Sequence, residues 1–252
     1  LEDHRYPKEL YIKKGAIFVS LAPIWLFVPF LKKYLSKINS HRIKGIIVVS
    51  STSTITKKYS WNKFDKELYS KLSFWENELI KLSKIYKLKI TIIRPTLVYG
   101  DIGYKEDKNL SHIFNLMQKV FIFPIPKETG IRQPIHYSQL SKCIIKISKS
   151  YLKNSSKESK IFNILNLGGD QELSFEKILL KIKINCPKKM KIRTFFLLKI
   201  PNRLFFLFCI PIILVSPKYY AAILRLATNM GGFKPAYKFL GEKKRNFPIR
   251  IK

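Results

Sequence analysis

Residues 46–60 read IIVVSSTSTITKKYS, so four apolar residues run straight into Ser50, Ser51, Thr52, Ser53 and Thr54. A buried strand that stops in a hydroxyl cluster places hydrogen-bonding side chains at the lip of a parallel sheet, where such sheets bind their ligands. The other reading is structural: the same hydroxyls cap the strand end and close a turn. Chemistry-bearing residues of other kinds are scattered. Cys143, Cys186 and Cys209 lie far apart without a CxxC, and His4, His41, His112 and His136 fall in no metal-ligand spacing. No metal site and no disulfide framework are expected, and a reducing cytoplasm suits this usage. Tyr69 and Lys71 are two residues apart, which on a helix turns them about 200° from one another. They cannot serve as one acid/base pair.

The elements that must position the hydroxyls follow from hydrophobic pattern. Residues 15–31 carry no charge and end at Lys32 and Lys33, a run at the bottom edge of membrane-spanning length. Pro23 and Pro29 divide it, so the expectation is a buried strand over AIFVS, a loop at Leu21–Pro23 and a helix running on into YLSKIN. KGIIVVS is a continuous apolar strand of the kind buried on both faces of a parallel sheet. Residues 64–86 space Leu, Phe and Ile at three and four, an amphipathic helix. LKITIIRPTLVYG follows, a strand interrupted by Pro95, expected to run to Val98 and to end by Gly100. Strand, helix and strand in this order specify parallel pairing through right-handed crossovers. The strands ending at Ser20, Ser50, Val98 and Leu167 are therefore expected in one parallel sheet. A helix is expected near 109–120, a linker over 152–160, and a helix capped by Ser174. The fold class is α/β, a Rossmann-like parallel sheet over 1–169 with a smaller, mostly helical lobe over 170–252.

Four stretches stand at or beyond these strand ends: Leu21-Ala22-Pro23, SSTSTITK, IRPTLVYG and RQPIH. In this order and spacing they resemble the NAD-dependent epimerase/dehydratase family, the nucleotide-sugar branch of the extended short-chain dehydrogenase/reductases. The match runs over most of the chain and is nearest to divergent bacterial members. The resemblance implies NAD or NADP as cofactor, a nucleotide-activated sugar as substrate, and hydride transfer in epimerisation, dehydration or reduction. It puts Thr52 where the family keeps its catalytic Ser/Thr, which hydrogen-bonds a sugar hydroxyl or keto oxygen, with Ser51 beside it. It places Leu21, Ala22 and Pro23 on the adenosine side of the dinucleotide, and Ser50, Pro95 and Tyr99 along the cofactor. Arg132 matches an arginine that pairs with the substrate diphosphate, for which a planar guanidinium is suited, and Asn109 falls on the substrate side. The other reading of Arg132 is an exposed loop charge.

Two of the family's parts are missing. Its YxxxK pair lies on the helix after the hydroxyl strand, with a glutamate four residues past the lysine. If Glu76 is that glutamate, the two slots hold Leu68 and Leu72; if Glu78 is, they hold Ser70 and Phe74. No GxGxxG or TGxxGxxG occurs to cradle a pyrophosphate. The first recognisable strand resembles the family's fourth, so the sequence reads as an N-terminally truncated enzyme domain. The alternative reading is a non-catalytic dinucleotide- or nucleotide-binding module associated with a membrane surface.

Charge adds a further constraint. The 252 residues include 48 Lys+Arg against 16 Asp+Glu, a formal +32. Such an excess favours anionic partners: nucleic acid, an anionic membrane or phosphorylated substrates. The lysines are spread among Ile, Asn, Phe and Tyr, as an A/T-biased coding sequence would also produce. No basic helix-turn-helix, RNP-like strand or zinc module is present, so no specific nucleic-acid partner is expected. Residues 204–215 are uncharged and too short to span a bilayer, with Lys199, Arg203 and Lys218 around them. They read either as a pair of short helices closing the substrate cleft or as a lipid-touching surface. A nucleotide sugar, a peripheral membrane contact and a second copy in a homodimer are the expected partners, in the cytoplasm.

Overall fold

The computed structural model describes residues 13–35, 42–60, 62–100, 110–153, 161–186 and 192–249. In chain order it begins with β1 (Ala16–Ser20), α1 (Ile24–Leu35), β2 (Ile43–Val49), α2 (Ser53–Thr56), α3 (Lys63–Ile85), β3 (Ile90–Pro95) and β4 (Val98–Tyr99). There follow α4 (Leu110–Lys119), β5 (Ile122–Pro126), β6 (Ile131–Arg132), β7 (Ile135–His136), α5 (Tyr137–Leu152) and β8 (Phe162–Gly168). The remainder is β9 (Leu173–Ser174), α6 (Phe175–Ile184), β10 (Phe196–Ile200), α7 (Asn202–Cys209), α8 (Ile212–Val215), α9 (Pro217–Leu224), β11 (Lys234–Pro235) and α10 (Ala236–Leu240).

The fold is α/β. Its main sheet has five strands in the order β1-β2-β3-β8-β11. β1 pairs parallel with β2, β2 with β3, and β11 with the end of β8. The residues fall into two compact units. The first takes the chain up to Lys58, Glu67–Arg94 and Ile144–Leu165; the second takes Tyr59–Lys66, Pro95–Cys143 and Asn166 onward.

In the first unit the apolar run of β2 is buried along most of its length, as expected of a central strand. Its Ile46 and Val48 pack with Val28 and Leu31 of α1 and with Leu72 and Leu79 of α3. The uncharged run 15–31 divides at Pro23, into β1, a short connection and α1, whereas Pro29, expected to divide it as well, lies inside α1. Gly45 has a steric reason for its identity: a Cβ there would lie 2.3 Å from the ring of Tyr151. The Tyr151 hydroxyl in turn shares a 2.6 Å hydrogen bond with Thr91 Oγ1, and burial pushes its pKa up.

The second unit has its own core, in which Phe114 and Met117 of α4, Phe123 and Ile125 of β5, and Ile178 and Leu179 of α6 meet Tyr99 and Phe247. Ser174 caps α6 as its sequence predicts, accepting a hydrogen bond from the Lys177 amide at 3.2 Å. Two expectations are corrected. The strand expected to run to Val98 stops at Pro95, and Val98–Tyr99 pair instead with Ile135–His136. Just beyond the proline, the Thr96 amide donates to the Leu167 carbonyl at 2.9 Å and its hydroxyl donates to the Gln133 carbonyl, which turns the chain out of the ladder. The lobe over 170–252, expected as mostly helical, also contains a strand: β10 pairs parallel with β5 before α7 begins, while the uncharged run 204–215 spans α7 and α8. The linker expected over 152–160 lies almost wholly outside the described residues, with α5 ending at Leu152.

Candidate functional site

The lip of the first unit's strands carries the hydroxyl cluster. Ser50 follows β2, and its amide donates to the Ile93 carbonyl at 2.7 Å, which holds it beside the end of β3. Its hydroxyl donates to Glu76 Oε1 at 2.5 Å. With its proton committed, Ser50 Oγ can offer only lone pairs to a ligand. Glu76 is buried on the core side of α3, four residues after Leu72 and three before Leu79. It is held by Arg94 of β3, whose Nε donates to both carboxylate oxygens at 3.1 Å and whose Nη2 donates to Oε2. Burial of a carboxylate is tolerable when a guanidinium and a hydroxyl satisfy it together.

The neighbouring hydroxyls divide between turn and lip. Ser51 Oγ accepts from the Ser53 amide at 3.1 Å and donates to Ser53 Oγ at 3.0 Å. Thr54 Oγ1 donates to the Ser51 carbonyl at 3.0 Å. These two serve the turn into α2. Thr52 stands at the N-cap of that helix and is buried, yet its side chain makes no capping hydrogen bond. Leu21, Ala22 and Pro23 form the exposed connection from β1 into α1, where the Pro23 carbonyl accepts from the Leu26 and Phe27 amides.

Neither register on α3 supplies an acid/base pair. Leu72 is a core side chain packed with Leu79, Leu68 packs at the rim of that core, and Phe74 and Ser70 are exposed. Lys71 places its ammonium 4.3 Å from the ring centroid of Trp25, a cation–π contact.

In the second unit RQPIH is a structural hub. Gln133 is buried; its amide nitrogen donates to the Gly169 and Phe233 carbonyls, and its oxygen accepts from the Phe233 amide at 3.0 Å. This explains the paired glycines at the end of β8. A Cβ on Gly168 would meet the Gln133 side chain at 2.3 Å, and one on Gly169 would meet the Pro134 carbonyl oxygen at 1.8 Å. Tyr99, expected along the cofactor, is a core residue here: its hydroxyl accepts from the Ile249 amide at 3.0 Å and its ring stands edge-on to His136 and Phe247. Pro95, at the end of β3, is buried. Asn109 lies outside the described residues.

Arg132 is more than a loop charge. Its Nη1 donates to the Ile131 carbonyl at 2.9 Å and to the Thr228 carbonyl, and its Nη2 donates to the Arg225 carbonyl. A second guanidinium stands close by: Arg225 Nη1 donates to both oxygens of the buried Asp65 at 2.9 Å. Burial, with the Arg225 charge adding to it, lowers the Arg132 pKa to about 10. The Arg225 charge acts on Arg132 while Arg225 itself pairs with Asp65, and an anion placed beside Arg132 relieves the repulsion between the two guanidiniums. Thr52 lies in the first unit and Arg132 in the second.

Sequence reasoning missed Arg94, Arg225 and Asp65. Asp65 does leave a signal. It falls three residues before Leu68 and seven before Leu72, an acid on the apolar face of an amphipathic helix. Arg225 leaves none, because its partner is 160 residues away.

The chain shares its fold with solved nucleotide-sugar epimerases. The UDP-N-acetylglucosamine 4-epimerase from Bacillus cereus aligns over 92% of this chain and 75% of its own, with a TM-score of 0.55 at 14% identity. The UDP-glucuronic acid 4-epimerase from Bacillus cereus, in complex with UDP-glucuronic acid and NAD, aligns over 88% of this chain and 62% of its own, with a TM-score of 0.54 at 14% identity. The UDP-glucose 4-epimerase from Bifidobacterium longum, in complex with NAD+ and UDP, aligns over 88% and 64%, with a TM-score of 0.53 at 16% identity. The chain thus spans less than two thirds of the length of two of these three structures. No family model and no curated protein matches the sequence. The Rossmann-like α/β fold that the strand-end motifs imply is the one observed.

Proposed function

We propose that this chain is part of an NAD(P)-dependent enzyme of the epimerase/dehydratase family that acts on a nucleotide-activated sugar in the cytoplasm. The observation that carries the reading is the Arg132–Arg225 corner, where a half-buried guanidinium held by three backbone carbonyls feels the charge of a second guanidinium, itself paired with Asp65. Its chemistry suits a diphosphate, which two guanidiniums can hold through several charge-assisted hydrogen bonds. The strand-end motifs and the fold shared with UDP-sugar epimerases support the same substrate class.

The lip of the first unit fits a dinucleotide in part. Ser50 presents acceptor lone pairs, and the Leu21–Pro23 connection is exposed at the end of β1. A nicotinamide cofactor would supply a hydride acceptor and donor. The chain's own residues would do the rest. Arg132 and Arg225 would bind the diphosphate, segment 170–252 would shape the sugar side, and Thr52 would hydrogen-bond the reacting sugar oxygen and steady the charge that develops on it. The family's proton relay has no counterpart on α3 in either register, whether the slots are Leu68 and Leu72 or Ser70 and Phe74. That same observation favours a second reading, a nucleotide-binding module without turnover.

Calorimetry on the full chain tests the proposal. Arg132→Ala should weaken UDP-sugar binding by about 1.5–3 kcal/mol, the range for losing a hydrogen bond to a charged group, and leave dinucleotide affinity nearly unchanged. Arg132→Lys keeps the charge but loses the fork, and should recover only part of the loss. Equal loss of both ligands would signal unfolding, and unchanged sugar-nucleotide affinity would refute the diphosphate assignment. Thr52→Ala should spare binding and lower turnover; a wild-type chain that binds both ligands without turnover would establish the second reading.

A further inference from the structure

We propose that α7 and α8 form a docking surface for an anionic lipid bilayer. This goes beyond the sugar-nucleotide reading and does not depend on it.

The packing of α7 is one-sided. Phe205 is buried, while Leu204, Leu207 and Phe208, spaced at i, i+3 and i+4, turn one apolar helix face to solvent. Phe208 is 68% exposed. The chain turns at Ile210-Pro211 into α8, where Leu214 is 90% and Val215 84% exposed. Seven large apolar side chains in water within twelve residues, counting Ile210 and Ile213, need a partner; scattered single exposures would not.

Charge selects the partner. From Lys177 to Gly241 the sequence contains no Asp or Glu, and it contains ten Lys and three Arg. Within that stretch Arg203 is exposed at the start of α7. A second copy laid on this face would bring the same cations against themselves across a two-fold contact. An anionic bilayer instead attracts the cations and takes the apolar side chains below its headgroups, the two contributions that hold a peripheral helix in an interface. Among the described residues no helix is long and apolar enough to cross a membrane, so the contact is one of lying on the surface.

Co-sedimentation of the full chain with vesicles tests this. Vesicles of phosphatidylcholine and phosphatidylglycerol, in roughly a three-to-one ratio, supply the anionic surface, and pure phosphatidylcholine is the comparison. The wild type should bind the mixed vesicles far better. Leu207→Ser, Phe208→Ser and Leu214→Ser together keep the net charge and should reduce that binding by at least about tenfold, because apolar burial is lost. High salt should weaken wild-type binding without abolishing it. If the triple variant binds like the wild type, charge alone is responsible and the docking surface is refuted. A concentration-dependent dimer that the triple variant abolishes, without vesicle binding, assigns the face to a second copy and refutes it too. Should the triple variant fail to fold, Leu214→Trp provides an independent reading. Its added fluorescence should shift to the blue with mixed vesicles and be quenched by brominated lipid, and no shift overturns the proposal.

Discussion

Arg94 and Glu76 form the buried ion pair of the first unit, and removing either partner alone should be costly. Arg94→Leu strips Glu76 of the Nε and Nη2 contacts and leaves its carboxylate with only the Ser50 hydroxyl among the hydrogen bonds described above. The side chains are 16% and 3% exposed, so water can rescue little. The expected loss is about 3–5 kcal/mol, the range for an orphaned buried charge. Glu76→Leu should cost a similar amount by orphaning Arg94. Replacing both with leucine removes two desolvation penalties at once and should cost only about 0–2 kcal/mol. The coupling energy from the double-mutant cycle is then roughly 4 kcal/mol or more, far outside the additivity expected of independent sites. Urea unfolding followed by circular dichroism measures it, with the slope on denaturant checking that the transition stays comparable. Losses below about 1 kcal/mol for each single variant, adding in the double, would refute the reasoning and class the pair with surface salt bridges.

Three smaller perturbations follow from other contacts. Gly45→Ala drives a Cβ to 2.3 Å from the Tyr151 ring and should cost about 1–3 kcal/mol by overpacking; adding Tyr151→Leu should recover part of it in the same unfolding assay. Ser174→Ala removes the α6 cap and should cost about 0.5–2 kcal/mol, with Ser174→Asn nearly neutral. Glu78 accepts hydrogen bonds from Lys32 and from Lys81, the latter at 2.8 Å, and these, Lys32 first, hold its carboxyl at about 2 instead of 4.5. A carboxylate with a depressed folded pKa contributes stability above its unfolded value, and the contribution fades as pH falls from the unfolded to the folded value, because the unfolded state takes up the proton first. The stability difference between wild type and Glu78→Gln should therefore be constant above pH 4.5 and shrink as pH falls toward 2; a difference that grows in that window would refute the assignment.

Much of the fold was legible in local pattern. The uncharged run 15–31 divided at Pro23, the 64–86 periodicity became α3 within a residue at either end, and Ser174 capped α6. These features depend on residues within a few positions of one another, so one dimension suffices to read them. The strand through IRPTLVYG was misread at its end because two distant groups, the Gln133 and Leu167 carbonyls, capture Thr96 and end the ladder. The strand β10 was missed for a similar reason: its partner, β5, lies some seventy residues earlier, and helix and strand patterns are hard to separate in a short apolar run.

For the candidate site the division is sharper. Residue types and order drew attention to the hydroxyls of Ser50 and Thr52, and the family resemblance added Arg132 and the absence of an acid/base pair on α3. What each side chain is bonded to was decided in three dimensions. Ser50 has its proton committed to a carboxylate 26 residues on, Tyr99 is spent on the core, and Arg132 shares its corner with an arginine whose own carboxylate partner is 160 residues away. Spacing determines which way a side chain faces along its own element. Only the path of the chain determines which desolvated groups meet, and those meetings set the charge and hydrogen-bonding capacity that a site can use.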